Sequence, residues 1–211
     1  MRFDELRVEY EARGLSEADA DPDPFVLLRI WFDEAIAAEL PLANGMTLAT
    51  CGRDGQPSAR VVLLKEIDDR GLVFFSNYDS RKGRELAANP RAALVLWWIP
   101  LHRQVRIEGV VEQLSAEESD AYFSTRPRES NLSAMASSQS QVVRNRRRLE
   151  ARVDELRQQW EGRELERPGV WGGYRLVPHQ FEFFQGRADR VHDRLRYQAR
   201  GETWVIDRLF P

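Results

Sequence analysis

MTLATCGRDGQPSARVVLLKEIDDRGLVFFSN, residues 46–77, decides the fold. Three runs rich in Val, Leu and Phe (MTLATC, SARVVLLK and LVFFSN) are separated by the turn strings RDGQ and DDRG. β-forming runs punctuated by Asp and Gly are the local chemistry of hairpins, so the stretch predicts three antiparallel strands. Outward from it, AALVLWWI (92–99), RQVRIEGVVEQL (103–114), GYRLV (173–177), FEFFQG (181–186), RLRYQ (194–198) and TWVIDRL (203–209) read as further strands. That is too many strands for a helical bundle, with too few long helices between them for a parallel sheet. The expected architecture is mainly β with helical insertions, a closed or split antiparallel barrel formed by one domain over residues 1–211.

Residues 1–22 read as a polar arm of mixed charge, with the Asp-Pro alternation DADPDPF at its end. Asp23 can cap and Pro24 can open a helix whose apolar face is Phe25, Leu28, Phe32, Ala35, Ile36 and Leu40. Three helical insertions follow. SRKGRELAANP begins at Ser80 with a capping hydroxyl. SAEESDAYFSTRPRES carries a capping box of Ser115 and Glu118 and sets Tyr122 and Arg126 four residues apart, on one face if the helix reaches that far. The third insertion runs roughly over 141–160 and holds RNRRR (144–148), whose partners would be Glu150, Asp154 and Glu155.

The 31 Lys plus Arg against 34 Asp plus Glu give a formal net charge of -3, so bulk attraction to nucleic acid or acidic lipid is not expected, and any basic site must be local. Cys51 is the single cysteine, which excludes an intramolecular disulfide and a cysteine-based zinc cluster, and no metal site is read. No apolar run reaches the roughly 18 residues of a membrane span. With an N-terminus lacking a signal-peptide core, a cytoplasmic protein is expected.

The basic residues fall into stations. Arg81 and Lys82 occupy a first helical turn, where cations oppose the helix dipole; an anion such as phosphate at that end would remove the conflict. Arg60 and Lys65, five apart on one strand, would point to opposite faces. In RVHDR (190–194), spacings of two would turn Arg190, His192 and Arg194 to one side of a strand. Such a row of cation, imidazole and cation suits a planar anionic ligand.

RVVLLK (60–65), SRKGRELAANPRAALV (80–95), RQVRIEG (103–109), YFSTRPRES (122–130), SSQS (137–140), WGGYR (171–175), EFFQGRADRVHDRLRY (182–197) and the terminal DRLFP, in that order, resemble the pyridoxamine 5'-phosphate oxidase family. The resemblance implies a homodimer of split β-barrels with FMN at the subunit interface. It implies oxidation of pyridoxamine or pyridoxine 5'-phosphate to pyridoxal 5'-phosphate, with electrons passing to oxygen to give hydrogen peroxide. The FMN residues it implies are Arg60, Val61, Val62, Leu63, Leu64, Lys65, Phe75, Ser76, Arg81, Lys82, Gln104, Gln139, Ser140, Phe184 and Arg194. The substrate residues it implies are Lys65, Tyr122, Arg126 and Ser130 at the phosphate, Arg190 and His192 at the pyridine ring as the catalytic pair, and Arg7 to Tyr10 as a lid. His192 is expected to position the substrate, because a neutral amine demands no dedicated base.

The chain departs from the family pattern at Phe75 and Ser76 (commonly Tyr-Thr), Phe184 (usually Trp), Leu42 (often acidic), Ser133 and Met135 (frequently Gly and Trp). Plainer readings attach to other residues: His102 and His179 as ordinary strand-edge histidines, Trp97 and Trp98 as core or dimer interface, Cys51 as a buried small side chain, and RNRRR as a solvated helix face. Two alternatives from other classes are a split-barrel FMN oxidase of phenazine biosynthesis and a non-enzymatic flavin- or haem-binding barrel. The first would not need the Tyr122, Arg126 and Ser130 station, and the second would need no second phosphate site. Nucleic-acid binding through RNRRR would need aromatic platforms, of which that helix offers only Trp160.

Overall fold

The computed structural model of the chain describes residues 14–18, 20–188 and 190–211. The opening stretch forms strands β1 (Gly45–Cys51), β2 (Pro57–Leu63), a two-residue β3 (Glu66–Ile67) and β4 (Leu72–Asn77). Then come β5 (Arg91–Trp98), β6 (Arg103–Gln113), β7 (Trp171–Gln185), β8 (Asp193–Arg200) and β9 (Thr203–Arg208). All strand pairs are antiparallel, in the order β2-β1-β5-β6-β7-β4-β3, with β8 on β7 and β9 on β8.

The expected pair GYRLV and FEFFQG is one continuous strand, β7. Pro178 suggests a break, but a strand accepts proline at a bulge. The register against β6 slips there: Glu108 faces Gln180 and Gly109 faces Pro178. Gly109 is required at this step, because a Cβ would lie 2.3 Å from the Val177 carbonyl oxygen. The length of β7 splits the barrel. Its first half pairs with β4 and its second half with β8, while β6 follows both.

Helix α1 (Pro24–Ala37) is capped by Asp23, which accepts the Phe25 N–H at 2.9 Å. It buries Leu27, Leu28, Trp31, Phe32 and Ala35. Trp31 meets Phe183, Phe32 meets Trp98 and Phe25 meets Phe181 edge-on, with ring centres 5.0–5.2 Å apart. Each such large apolar side chain is worth about 1.5–3 kcal/mol on burial. The stripe is centred on Leu28, Trp31 and Ala35, so Ile36, expected inward, is 62% exposed.

The insertions give four helices where three were expected: α2 (Arg81–Ala88), α3 (Ala116–Thr125), α4 (Arg128–Ala136) and α5 (Arg146–Gln159). The segment from Ser115 is two helices because Pro127 drives the residue before it out of the helical region; Arg126 has φ -77°, ψ 147°. Arg126 therefore does not sit on the same helical face as Tyr122. Helix α5 begins later than expected, where Asn145 caps the Arg148 N–H at 2.9 Å. Its arginines pair with Glu150, Glu155, Asp154 and, across on α4, Glu129, as a solvated face would. Cys51 is half-buried on the outer side of β1, not fully buried. Among the described residues no helix is long and apolar enough to cross a membrane.

Candidate active site

A cavity of about 940 Å³ opens between β2, β4, α2 and the α3–α4 corner. Twelve of the expected residues line it: Arg60, Val61, Val62, Leu63, Lys65, Phe75, Ser76, Lys82, Tyr122, Arg126, Ser130 and Gln139. Arg60 and Lys65, expected on opposite faces, both reach it. Strand β2 ends at Leu63, so alternation does not extend to Lys65. Leu64 turns into the core instead, 5% exposed.

Lys82 is the buried cation of the cavity. Its ammonium donates to Ser76 Oγ at 2.9 Å and to Gln139 Oε1 at 2.5 Å, both neutral. Burial, with the nearby Arg60 charge adding to it, lowers its pKa to about 8. Its neighbour Arg81 does not line the cavity. Arg81 swings back along α2 to Glu85, Nε to Oε1 at 2.8 Å, so an internal carboxylate answers its conflict with the helix dipole. Glu85, which the sequence reading missed, also accepts from Thr50 and Ser58 at 2.6 Å each and meets Arg60 at 3.3 Å. Burial alone would raise its pKa, but the hydrogen bonds from Ser58, Thr50 and Arg81 outweigh it and hold the carboxyl near 2. Glu85 thus aims Arg60, and its spacing of four from Arg81 was the available signal.

Across the cavity, Arg126 donates to Asn131 Oδ1 at 2.9 Å and to the Ser130 carbonyl at 3.3 Å. Its guanidinium lies 4.5 Å over the Trp171 ring. Trp171 was also missed; it closes a stack in which Phe75 and Tyr122 rings are 3.8 Å apart and Phe75 and Trp171 5.5 Å apart. WGGYR carried the signal: at Gly173 a Cβ would come within 2.9 Å of the Phe75 ring, so glycine lets the stack form.

Gln104, Phe184 and Arg194 stand side by side elsewhere, on β6, β7 and β8, and none lines the cavity. Arg190 and His192 lie beside them and likewise do not line it. RVHDR is not a strand: β8 starts at Asp193, and residues before it form a turn in which Arg190 has φ 60°. The expected one-sided row of three therefore does not form by strand alternation. Ser140, with φ 70°, is exposed and also outside the cavity lining. Left-handed backbone at a non-glycine residue is strained, and such strain clusters at functional sites. Arg194 is held by the buried Glu182 through Nε at 2.9 Å and Nη2 at 2.8 Å, while Arg106 reaches the other carboxylate oxygen at 2.8 Å. His192 packs its ring 5.1 Å from that of Phe184. Arg7 and Tyr10 lie outside the described residues. Among those described, no cluster of three or more His, Cys, Asp or Glu could hold a metal.

The architecture defines a split-barrel protein, with a cationic, aromatic-walled cavity between β2 and β4. Residues 32–160 match the pyridoxamine 5'-phosphate oxidase family, and residues 171–211 match the pyridoxine 5'-phosphate oxidase C-terminal dimerisation region. The chain belongs to the pyridoxamine 5'-phosphate oxidase family. It is 56% identical over 210 residues to the pyridoxine/pyridoxamine 5'-phosphate oxidase of Burkholderia multivorans, covering 98% of each chain. It is 55% identical to that of Thermosynechococcus vestitus, covering 100% of this chain and 99% of the relative. The crystal structure of PhzG from Burkholderia lata 383 in complex with tetrahydrophenazine-1-carboxylic acid superposes with a TM-score of 0.89 at 35% identity, covering 95% of this chain and 99% of PhzG.

Proposed function

We propose that this chain is an FMN-dependent oxidase that works as a homodimer, with flavin and substrate held between the cavity of one subunit and the Gln104, Phe184 and Arg194 edge of the other. The activity is that of its full-length relatives: it converts pyridoxine or pyridoxamine 5'-phosphate to pyridoxal 5'-phosphate.

One observation carries the rest of the proposal: the implied ligand set falls into two groups that do not share a cavity within the chain. Along the sheet, Arg60 on β2 and Arg194 on β8 are five strand steps apart, about 24 Å at the usual spacing. A two-fold axis makes each surface complete the other, because an isologous interface presents both groups twice. Exposed apolar side chains support this reading: Val61 is 71% and Trp97 66% exposed, and Trp97 pairs across β5–β6 with Gln104. A match to a dimerisation region over residues 171–211 supports it as well.

The cavity fits two phosphorylated ligands. Lys82, with only neutral hydrogen-bond partners, and Arg60 beside it would take the FMN phosphate; Arg126, Tyr122, Ser130 and Lys65 would take the substrate's. FMN, when bound, supplies the hydride acceptor and the route of electrons to oxygen. The chain's own residues bind, orient and exclude water: the Phe75–Tyr122–Trp171 wall is a stack of aromatic rings with the Arg126 guanidinium over the Trp171 face. The phosphate station at Tyr122, Arg126 and Ser130 favours a phosphorylated substrate over the tricyclic carboxylic acid bound by PhzG. The test is direct: the purified protein shows a bound-flavin visible spectrum and forms pyridoxal 5'-phosphate in an oxygen-dependent reaction. A colourless, inactive protein that FMN does not activate would sink the proposal.

A further inference from the structure

Arg175 is the one buried arginine among the described residues. It stands on β7, the strand that also carries Trp171, between Val73 of β4 and Glu112 of β6. Its guanidinium is shared by three carboxylates from three parts of the fold. Asp68, in the turn between β3 and β4, accepts Nε at 2.8 Å and meets Nη2 at 2.6 Å, both on one oxygen. Glu118, in the first turn of α3, accepts Nη2 at 3.2 Å, and Glu112 accepts Nη1 at 3.3 Å. Burial works against the charge, but the hydrogen bonds to Asp68 and Glu118 outweigh it and raise the Arg175 pKa.

Two of these carboxylates each hold a second structure with their other oxygen. Asp68 Oδ1 accepts the Arg70 and Gly71 N–H groups at 2.9 and 2.7 Å, which folds the turn. The hairpin closed by that turn also fixes Lys65, whose N–H donates to the Val73 carbonyl at 2.8 Å. Glu118 Oε2 accepts the Ser115 N–H at 2.8 Å in the capping box, which leaves Oε1 for Arg175. Tyr122 follows Glu118 by one helical turn, on the same face of α3. Arg175 thus fastens the hairpin of Lys65 to the helix of Tyr122, and both of those side chains line the cavity. Lys82 and Arg60 are held by other contacts, through Ser76 and Gln139 for one and Glu85 for the other.

We propose that Arg175 is a positioning residue for the substrate's phosphate: by clamping Asp68 to Glu118 it sets the spacing of Lys65 and Tyr122, and it leaves the FMN phosphate station alone. This rests on the reading of Lys65, Tyr122, Arg126 and Ser130 as the substrate-phosphate station. A guanidinium suits the task because its planar fork reaches three acceptors in fixed directions, where an ammonium would act as a single point. Small displacements of groups that hold a substrate weaken its capture without altering the groups themselves.

The test is steady-state kinetics with pyridoxine 5'-phosphate, together with FMN titration, on Asp68→Asn, Glu118→Gln, their double variant, Glu112→Gln and Tyr122→Phe. Asp68→Asn keeps a carbonyl oxygen for the turn and Glu118→Gln keeps one for the cap, so each cuts the clamp and spares the local motif. Glu112→Gln weakens the same arginine from a strand that does not line the cavity, which controls for lost stability. Asp68→Asn and Glu118→Gln are each expected to raise KM about three- to tenfold, with kcat and FMN affinity within about twofold of wild type. The double variant is expected to match the singles, because one clamp is cut only once. Unchanged KM in the two singles, effects that add in the double variant, an equal rise in Glu112→Gln, or FMN affinity falling in step with KM would each overturn the clamp. A raised KM in Tyr122→Phe beside unaltered clamp variants overturns the clamp alone. An unaltered KM in Tyr122→Phe overturns the phosphate-station reading, and the clamp with it.

Discussion

The two basic regions of the chain hold their cations in opposite ways. In the cavity, Lys82 and Arg126 rest on neutral partners: Ser76 and Gln139 for one, Asn131, the Ser130 carbonyl and the Trp171 face for the other. At the β6–β8 edge, the cations are answered by carboxylates: Arg194 and Arg106 share Glu182, and Arg187 and Arg208 share Asp193. A buried cation with neutral partners is high in energy until an anion arrives, whereas a paired one is already satisfied and offers shape and direction. On the proposed reading, the cavity is completed by phosphate and the edge is a fixed template laid against it from the second subunit. Arg60, shared between Glu85 and the cavity, stands between the two kinds.

The comparison breaks most visibly at Lys82. Lys82→Ala is expected to weaken FMN by about 1.5–3 kcal/mol, roughly 10- to 150-fold, because a charge-assisted phosphate contact is lost. Fluorescence titration of the flavin-free protein measures it; unchanged affinity would mean the cavity cation is not a phosphate ligand. Next in size is Glu182→Gln. Neutralising the shared carboxylate takes from Arg194 the acid it rests on and leaves Arg106 only Glu108, at 3.4 Å. The partial exposure of both arginines reduces the usual penalty of a broken buried pair, so about 2 kcal/mol of stability is expected to be lost, a fall in Tm of roughly 4–8 °C. A higher Tm in calorimetry would show that the edge is not charge-balanced as described. Smaller still, Arg190→Ala is expected to keep its yellow colour while kcat/KM falls about tenfold, near 1.4 kcal/mol, since only the substrate is left poorly held. Arg194→Ala, in contrast, should lower flavin content in the same preparation.

The strands were legible because hairpin punctuation is local: Asp and Gly in RDGQ and DDRG lie between runs that alternate as the sheet requires. The division of β7 into GYRLV and FEFFQG failed for the converse reason. A bulge is a property of two strands, and the partner residue that admits it, Gly109, is some seventy positions away. The cap at Ser80 and the capping box at Ser115–Glu118 were readable for the same local reason and are present. Lys82 and Arg126, expected as binding cations, both line the cavity, but Glu85, Trp171 and Glu182, which aim or support Arg60, Arg126 and Arg194, were not singled out. Their importance lies in contacts made across the fold: the spacing of four from Arg81 hints at Glu85 and the glycines of WGGYR at Trp171, but nothing local distinguishes Glu182 from an ordinary surface acid. RVHDR was the sharpest case. Spacing by two suggested a strand row, yet Arg190 takes a left-handed conformation and His192 is turned by a backbone amide five residues earlier.

The smallest effect concerns pH and follows from the neutral partners of Lys82. Burial and the Arg60 charge bring its pKa down from 10.5 to about 8 in the ligand-free fold. A phosphate beside it favours the charged form, so anion binding is linked to keeping, or taking up, that proton. Below pH 8 the proton is already present and affinity is flat; above it, binding must draw the proton from solvent and affinity declines. With about nine-tenths of the groups charged at pH 7 and about a quarter at pH 8.5, FMN affinity is expected to fall roughly fourfold across that interval, near 0.8 kcal/mol. The sign for folding is opposite. Between about pH 8 and 10.5 the unfolded chain binds a proton that folded Lys82 does not, so this group makes the flavin-free fold more stable as pH rises through that window. Lys82→Arg separates the two effects, because a guanidinium stays charged throughout and should remove the decline in affinity. If affinity fell equally in wild type and Lys82→Arg, the titrating group would lie elsewhere, and the contrast between an unanswered cavity cation and a balanced edge would lose its clearest thermodynamic mark.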